Sequence, residues 1–317
     1  MVLSRSLVSA AVGLLASCSV ANAVLSWNET EFFFVFGDSY TTDGYNISAG
    51  VNSPDPGYTS SNGPNWVEFL SGTYNQTALT TFDLASGGAT IDAALVPPYL
   101  PTVLSVVDQV TQFNEYLAPK PYGAAWNSSN SLFAIFIGIN DVGNSVGWTN
   151  ITQFEFYGVL MDRLFTQVED LYEAGARNFL FLTVPPTNRA PLFYEQGPAA
   201  AAQMGTDIAN YNTQLTQSVR YFQATHTDVE TVTVFDTQPI FNTLLDEAET
   251  FGFVNITGYC AAYENGTPTP TYQVEGCAPV SSYFWLNTLH PLFTIHNILA
   301  KAISTALSGY PATTIPT

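Results

Sequence analysis

Phe32-Phe33-Phe34-Val35-Phe36-Gly37-Asp38-Ser39-Tyr40 is an unbroken apolar run that ends in a glycine turn and presents a serine. A run without polar alternation suits a strand covered on both faces. A buried strand ending this way holds the next serine rigidly at a sheet edge, open to substrate and to a base. Gly37-Asp38-Ser39 alone is also an ordinary strand-to-loop turn, since all three residue types favour turns.

Working outward, the apolar runs at 132–137, 179–184 and 232–235 read as further buried strands, and a weaker run at 79–84 completes a sheet of about five. Between them, Phe154, Val159, Leu160, Leu164, Val168 and Leu171 recur at helical spacing and stop at Ala174-Gly175. Similar patterns occupy 103–117, 199–221, 240–248 and 291–307. This alternation predicts a doubly wound α/β fold, in which ligands meet the carboxyl ends of the strands. Ser39 then follows the first strand, Gly88 the second and Asn140 the third, so three distant segments converge on one edge. Acyl transfer needs a nucleophile, a base and donors for the developing oxyanion, and this edge can supply them.

The first residues read as a secretory leader over 1–23: Arg5 is the basic start, 7–15 is apolar, and Ala21-Asn22-Ala23 is a small-residue cleavage site. The rest, 24–317, is expected to form one domain, because no low-complexity linker or repeat divides it. Removing the leader removes Cys18 and leaves Cys260 and Cys277, an even number in an oxidising compartment. A Cys260–Cys277 bridge is expected, against two free thiols or zinc ligands; no C-x-x-C spacing supports zinc. Asn28, Asn46, Asn75, Asn127, Asn150, Asn255 and Asn265 begin Asn-x-Ser/Thr sequons and are candidate glycan sites in a secreted chain. A formal net charge of -19 argues against binding to nucleic-acid phosphates and against stable association with an anionic membrane.

Four blocks in order resemble the GDSL, or SGNH, hydrolase family. They are Phe36-Gly37-Asp38-Ser39-Tyr40, Ala85-Ser86-Gly87-Gly88-Ala89-Thr90, Gly138-Ile139-Asn140-Asp141 and Leu289-His290-Pro291. Ser61-Asn62-Gly63-Pro64-Asn65-Trp66-Val67-Glu68 also resembles a segment of fungal and plant members. The resemblance implies the SGNH hydrolase fold, a flavodoxin-like doubly wound parallel sheet with helices on both faces. It makes Ser39 the nucleophile and His290 the base. The backbone N–H groups of Ser39 and Gly88 and the side chain of Asn140 become the oxyanion donors. No metal or cofactor is implied.

One position departs from the family pattern. An aspartate usually stands three residues before the histidine, and here that position is Asn287. An amide cannot offset imidazolium charge, but its carbonyl oxygen can accept the ring N–H. A main-chain carbonyl, Glu264 or Glu275 could orient His290 instead. Asp38 and Asp141 are read as turn-fixing residues, His296 as a packed or surface histidine of the last helix, and His226 as a solvated helix-end residue.

The resemblance is closest to fungal secreted acetylesterases, similar to carbohydrate esterase family 16. The expected substrate is a small ester or an acetylated oligosaccharide from hemicellulose, and the expected state is a monomer. Tyr40, Tyr45, Tyr58, Trp66 and Trp148 are candidates to flank a sugar ring. The alternatives are a lipase or phospholipase for longer acyl chains, and a catalytically weak carbohydrate-binding glycoprotein.

Overall fold

A computed structural model describes residues 27–309, so the leader expected over 1–23 lies outside the described residues. Five strands form one wholly parallel sheet: β1 (Phe32–Gly37), β2 (Thr80–Asp83), β3 (Ser131–Phe136), β4 (Asn178–Leu182) and β5 (Thr231–Phe235). Their order is β2-β1-β3-β4-β5, the flavodoxin-like arrangement. Each apolar run of the sequence is a strand, displaced by one or two residues at its ends.

The helices are α1 (Trp66–Gly72), α2 (Val106–Tyr116), α3 (Ile139–Ser145), α4 (Gln153–Glu173), α5 (Pro191–Tyr194), α6 (Pro198–Thr225), α7 (Gln238–Asp246) and α8 (Phe293–Gly309). Periodicity anticipates α2, α4, α6, α7 and α8 but misses α1, α3 and α5, which are too short to repeat an apolar face. A capping box does mark α1: the Asn65 side chain accepts from Val67 and Glu68, and Glu68 reaches back to the Asn65 N–H.

From β1 to β2 the chain steps one way across the sheet, and from β2 through β5 it steps the other way. Right-handed crossovers therefore place α1 on one face and α2, α4 and α6 on the other. Packing agrees, with α1 against α8, and α4 against both α2 and α6. The aromatic side chains of β1 serve both layers. Phe34 is in register with Phe82 and Phe133, with ring centroids 5.3 and 4.7 Å away, and Phe113 of α2 meets it edge-on at 5.3 Å. Phe33 points the other way and meets Trp66 of α1 at 6.1 Å. Coverage of both faces is why β1 carries no polar alternation.

The strand order reverses between β1 and β3, so their carboxyl ends form the topological switch point. After α7, residues 247–292 cross back over this edge to α8. Cys260 and Cys277 are bridged across 17 residues, beside a small separate core of Tyr263, Val280, Tyr283, Leu286 and Leu292. The Leu286 N–H donates to His290 O at 2.8 Å, and the Leu292 N–H to Phe284 O at 3.0 Å. These bonds fold 284–292 into a tight loop bearing Asn287 and His290.

Among the sequons, Asn28, Asn46, Asn127, Asn150 and Asn265 are exposed, whereas Asn75 and Asn255 are half-buried. Asn75 Nδ2, the atom a glycan would use, donates to Thr77 O at 2.7 Å. Among the described residues, no helix is long and apolar enough to cross a membrane.

Candidate active site

Ser39 Oγ lies 2.8 Å from His290 Nε2, across 251 residues of sequence. The other ring nitrogen, Nδ1, lies 3.0 Å from Asn287 Oδ1. A carbonyl oxygen can only accept, so Nδ1 carries the ring proton and Nε2 is left to accept from the serine hydroxyl. The same Asn287 oxygen accepts the backbone N–H of His290 at 3.0 Å and of Leu289 at 3.1 Å. Glu264 and Glu275, considered from sequence as orienters, are exposed and make no contact with His290. Both lie within the 260–277 loop that the disulfide closes.

The Ser39 turn is built by buried polar groups. Asp38 is fully buried; its Oδ1 accepts the Tyr40 N–H, and its carbonyl accepts those of Thr41 and Thr42, all at 3.0 Å. Burial, with a smaller contribution from the charge of Asp141, pushes the Asp38 carboxyl up to about 7. Gln109 of α2 grips Gly37 from both sides, accepting its N–H at 3.0 Å and donating to its C=O at 2.9 Å. Asn65 Nδ2 donates to the carbonyls of Thr41 and Thr42, and Trp66 Nε1 to Thr41 Oγ1 at 3.2 Å. The 61–68 segment thus braces the turn after Ser39. Trp66 and Tyr40 are both buried, which corrects their reading as sugar-flanking residues. Tyr40 instead donates its hydroxyl to Leu289 O at 2.6 Å, joining the Ser39 turn to the histidine loop. Tyr45 and Trp148 are half-buried against the core, so of that group only Tyr58 is largely exposed.

Opposite the serine, the glycine block is held by the asparagine block. The Asp141 carboxylate accepts the Ile91 N–H at 3.0 and 3.3 Å, and Asn140 Nδ2 donates to Ala89 O at 2.9 Å. Asn140 therefore spends one N–H on positioning; its other has only a long 3.4 Å contact with Asp38 Oδ2. Asp141 is fully buried, and burial pushes it up to about 7. The Ala89 N–H is taken by Ser86 O at 2.9 Å, whereas among the described residues the N–H groups of Gly88 and Ser39 have no backbone acceptor. Those two N–H groups and the second Asn140 N–H are the donors left at this edge. Gly88 has φ +85°, and a Cβ there would run into the ring of Tyr99. Gly138 has φ +122°, and a Cβ would strike Tyr211, whose hydroxyl donates to Ile137 O at 3.1 Å.

Among the described residues, no carboxylate hydrogen-bonds the imidazole. Burial alone lowers the His290 pKa to about 4. His296 of α8 is packed inside, with the Tyr40 ring 6.0 Å from it and 5.8 Å from His290. His296 is lowered to about 3, first by burial and then by His290. His226 is not solvated as expected: its Nδ1 lies 2.9 Å from Phe222 O and its Nε2 3.1 Å from Glu169. Among the described residues, no group of three or more His, Cys, Asp or Glu side chains could hold a metal ion.

A cavity of about 490 Å³ lies elsewhere, between α6 and the ends of β4 and β5. Its polar lining is largely committed to the fold: Asn212 bonds both backbone groups of Val184, while Thr213 and Thr216 donate to carbonyls of their own helix. Unspent donors are found instead at the switch point, beside Ser39 and His290.

The profile described as GDSL-like Lipase/Acylhydrolase matches residues 33–303. The chain belongs to this family. An acetylesterase of Thermothelomyces thermophilus is 35% identical over 320 residues, covering 97% of this chain and 99% of the relative. An acetylesterase of Hypocrea jecorina is 24% identical, covering 89% and 90%. A solved structure of an acetylxylan esterase from Geobacillus stearothermophilus matches with a TM-score of 0.47 and 16% identity, covering 90% of this chain and 96% of that one. This GDSL family member is a carboxylic-ester hydrolase.

Proposed function

We propose that this GDSL hydrolase is a secreted acetylesterase that removes acetyl groups from hemicellulose-derived oligosaccharides through a Ser39–His290 acyl-enzyme. The observation that carries the reading is the 2.8 Å contact between Ser39 Oγ and a neutral His290 Nε2, beside unspent N–H donors. The acetyl preference follows the relatives, both acetylesterases matched over most of their length.

In this mechanism His290 Nε2 takes the hydroxyl proton as Ser39 Oγ attacks the ester carbonyl carbon. The N–H groups of Ser39 and Gly88 receive the oxyanion, with the second N–H of Asn140 released from its long contact with Asp38. One such donor is worth about 3 to 4 kcal/mol of transition-state stabilisation. When the tetrahedral intermediate collapses, the C–O bond to the sugar breaks and His290 returns the proton to the departing alkoxide oxygen. Water then attacks the acyl-enzyme, giving a proton to His290, which passes it to Ser39 as acetate leaves. Asn287 holds the Nδ1 proton throughout, so Nε2 is the nitrogen that takes and returns the proton.

The test is acetate release from acetylated xylo-oligosaccharides by the wild type and by Ser39→Ala. Wild-type release that vanishes in a folded Ser39→Ala protein supports the proposal; undiminished release overturns it. Rates on acetyl, butyryl and longer p-nitrophenyl esters then separate an acetylesterase from an enzyme for longer acyl chains.

A further inference from the structure

The loop between β2 and α2 carries Pro97-Pro98-Tyr99-Leu100-Pro101. Each proline fixes its own φ, which restricts the loop before any contact is made. The loop is also tied to the site: Thr90 Oγ1 donates to Val96 O at 2.8 Å, and Asn144 Nδ2 of α3 approaches Pro97 O at 3.4 Å. Val96 itself is fully buried. At the apex of this anchored loop, Tyr99 is 72% exposed. Its ring nevertheless lies directly on Gly88, in the space a side chain there would need. A large aromatic ring, carried on an anchored loop, thus stands open to solvent beside one of the candidate oxyanion donors.

We propose that Tyr99 is the platform of the alcohol-side subsite, receiving the apolar face of a pyranose ring whose acetyl ester is being cleaved. This rests on the esterase reading of Ser39 and His290. A fixed aromatic face loses little conformational entropy on binding and is amphipathic, which suits a ring that is apolar on its C–H face and hydroxylated at its rim. An acyl chain longer than acetyl needs an enclosed apolar channel, and a ring this exposed does not form one. The formal charge of -19 favours a neutral sugar over an anionic one. The partner is therefore an uncharged acetylated oligosaccharide, held from the sugar side.

The test compares Tyr99→Ala, Tyr99→Phe and Tyr99→Trp with wild type on acetylated xylo-oligosaccharides and on ethyl acetate, which has no ring to stack. Tyr99→Ala should raise KM for the oligosaccharide roughly three- to tenfold, the range expected for loss of one aromatic contact. Turnover of ethyl acetate should stay within about twofold, and Phe and Trp should retain oligosaccharide affinity. Equal losses on both substrates would show that Tyr99 only supports Gly88, and would overturn the proposal; a Phe variant as weak as Ala would overturn it too. Calorimetric titration of xylo-oligosaccharide into Ser39→Ala and into Ser39→Ala/Tyr99→Ala gives a Kd that needs no turnover. If wild type hydrolyses neither ester, the esterase reading fails, and the titration still decides whether Tyr99 holds the sugar.

Discussion

Asn287 Oδ1 accepts three hydrogen bonds from the loop it belongs to: the His290 ring Nδ1–H at 3.0 Å and the backbone N–H groups of His290 and Leu289 at 3.0 and 3.1 Å. One neutral oxygen therefore sets the loop conformation and the tautomer of the base. Asn287→Ala removes the one acceptor of all three bonds, and kcat on an acetyl ester should fall about ten- to a hundredfold, the effect of a partly buried donor left without its partner. Rescue by Asn287→Asp but not by Asn287→Leu would assign the loss to the acceptor.

Among the described residues no carboxylate hydrogen-bonds the His290 ring, and this sets the expected pH dependence. In the proposed mechanism His290 takes a proton only when neutral, and burial lowers its pKa to about 4. Activity should hold as pH falls through the usual histidine range near 6.5 and be half lost only near 4. Asn287→Asp places a negative charge at Nδ1, favours the imidazolium and should move this acidic limb upward. The kcat/KM profile of the two proteins, taken from about pH 3 to 8, checks the direction.

Stability should follow pH in the opposite sense from a protein held by ionised carboxylates. Asp38, Asp43 and Asp141 are raised to about 7, each chiefly by burial. Their contribution is full below the unfolded value near 4 and is lost as pH rises toward 7. His290 and His296, lowered to about 4 and 3, act the other way, losing stability as pH falls below 6.5. Three carboxyls outweigh two imidazoles between about pH 5 and 7, so Tm should be higher near pH 5 than near pH 7.5. Differential scanning calorimetry at the two pH values tests the sign.

Tyr40→Phe deletes only the hydroxyl that reaches Leu289 O at 2.6 Å. The change should cost about 1 kcal/mol of stability, the usual worth of such a bond. It should also lower kcat more than it raises KM, because the serine turn and the histidine loop lose one of the bonds that set their spacing. Urea unfolding and steady-state kinetics on one preparation separate the two effects.

The disulfide closes a separation of 17 residues around the small core that backs the histidine loop. Replacing both cysteines by alanine should cost up to about 3 kcal/mol in the chain-entropy model. Limited proteolysis should then cut first between 260 and 277, with loss of activity preceding loss of helical circular dichroism.

Much of this arrangement is legible in one dimension. β1, β3 and β4 are buried on both faces, so their apolar runs need no tertiary knowledge to read, and the long helices α4 and α6 repeat their apolar positions often enough to declare themselves. The short α3 has no such repeat, although it bears Asn140 and Asp141. Aromatic character alone does not tell a loop residue from a buried one, which is why Tyr40 and Trp66 read as sugar contacts until their burial is known. The grip of Gln109 on Gly37 spans 72 residues and leaves no local signal.

The sequence by itself determined the layered α/β architecture, the family, and the identity of Ser39, Gly88, Asn140 and His290 as the residues to watch, because strand burial, glycine turns and motif order are local properties. Only the tertiary structure decided what orients His290, which donors remain unspent and which aromatic ring faces solvent. Those depend on distances between segments far apart in the chain, and a chain sets them only when its core packs: Asn287 instead of Glu264 or Glu275 meets the ring, and Tyr99 instead of Tyr40 stands open beside Gly88.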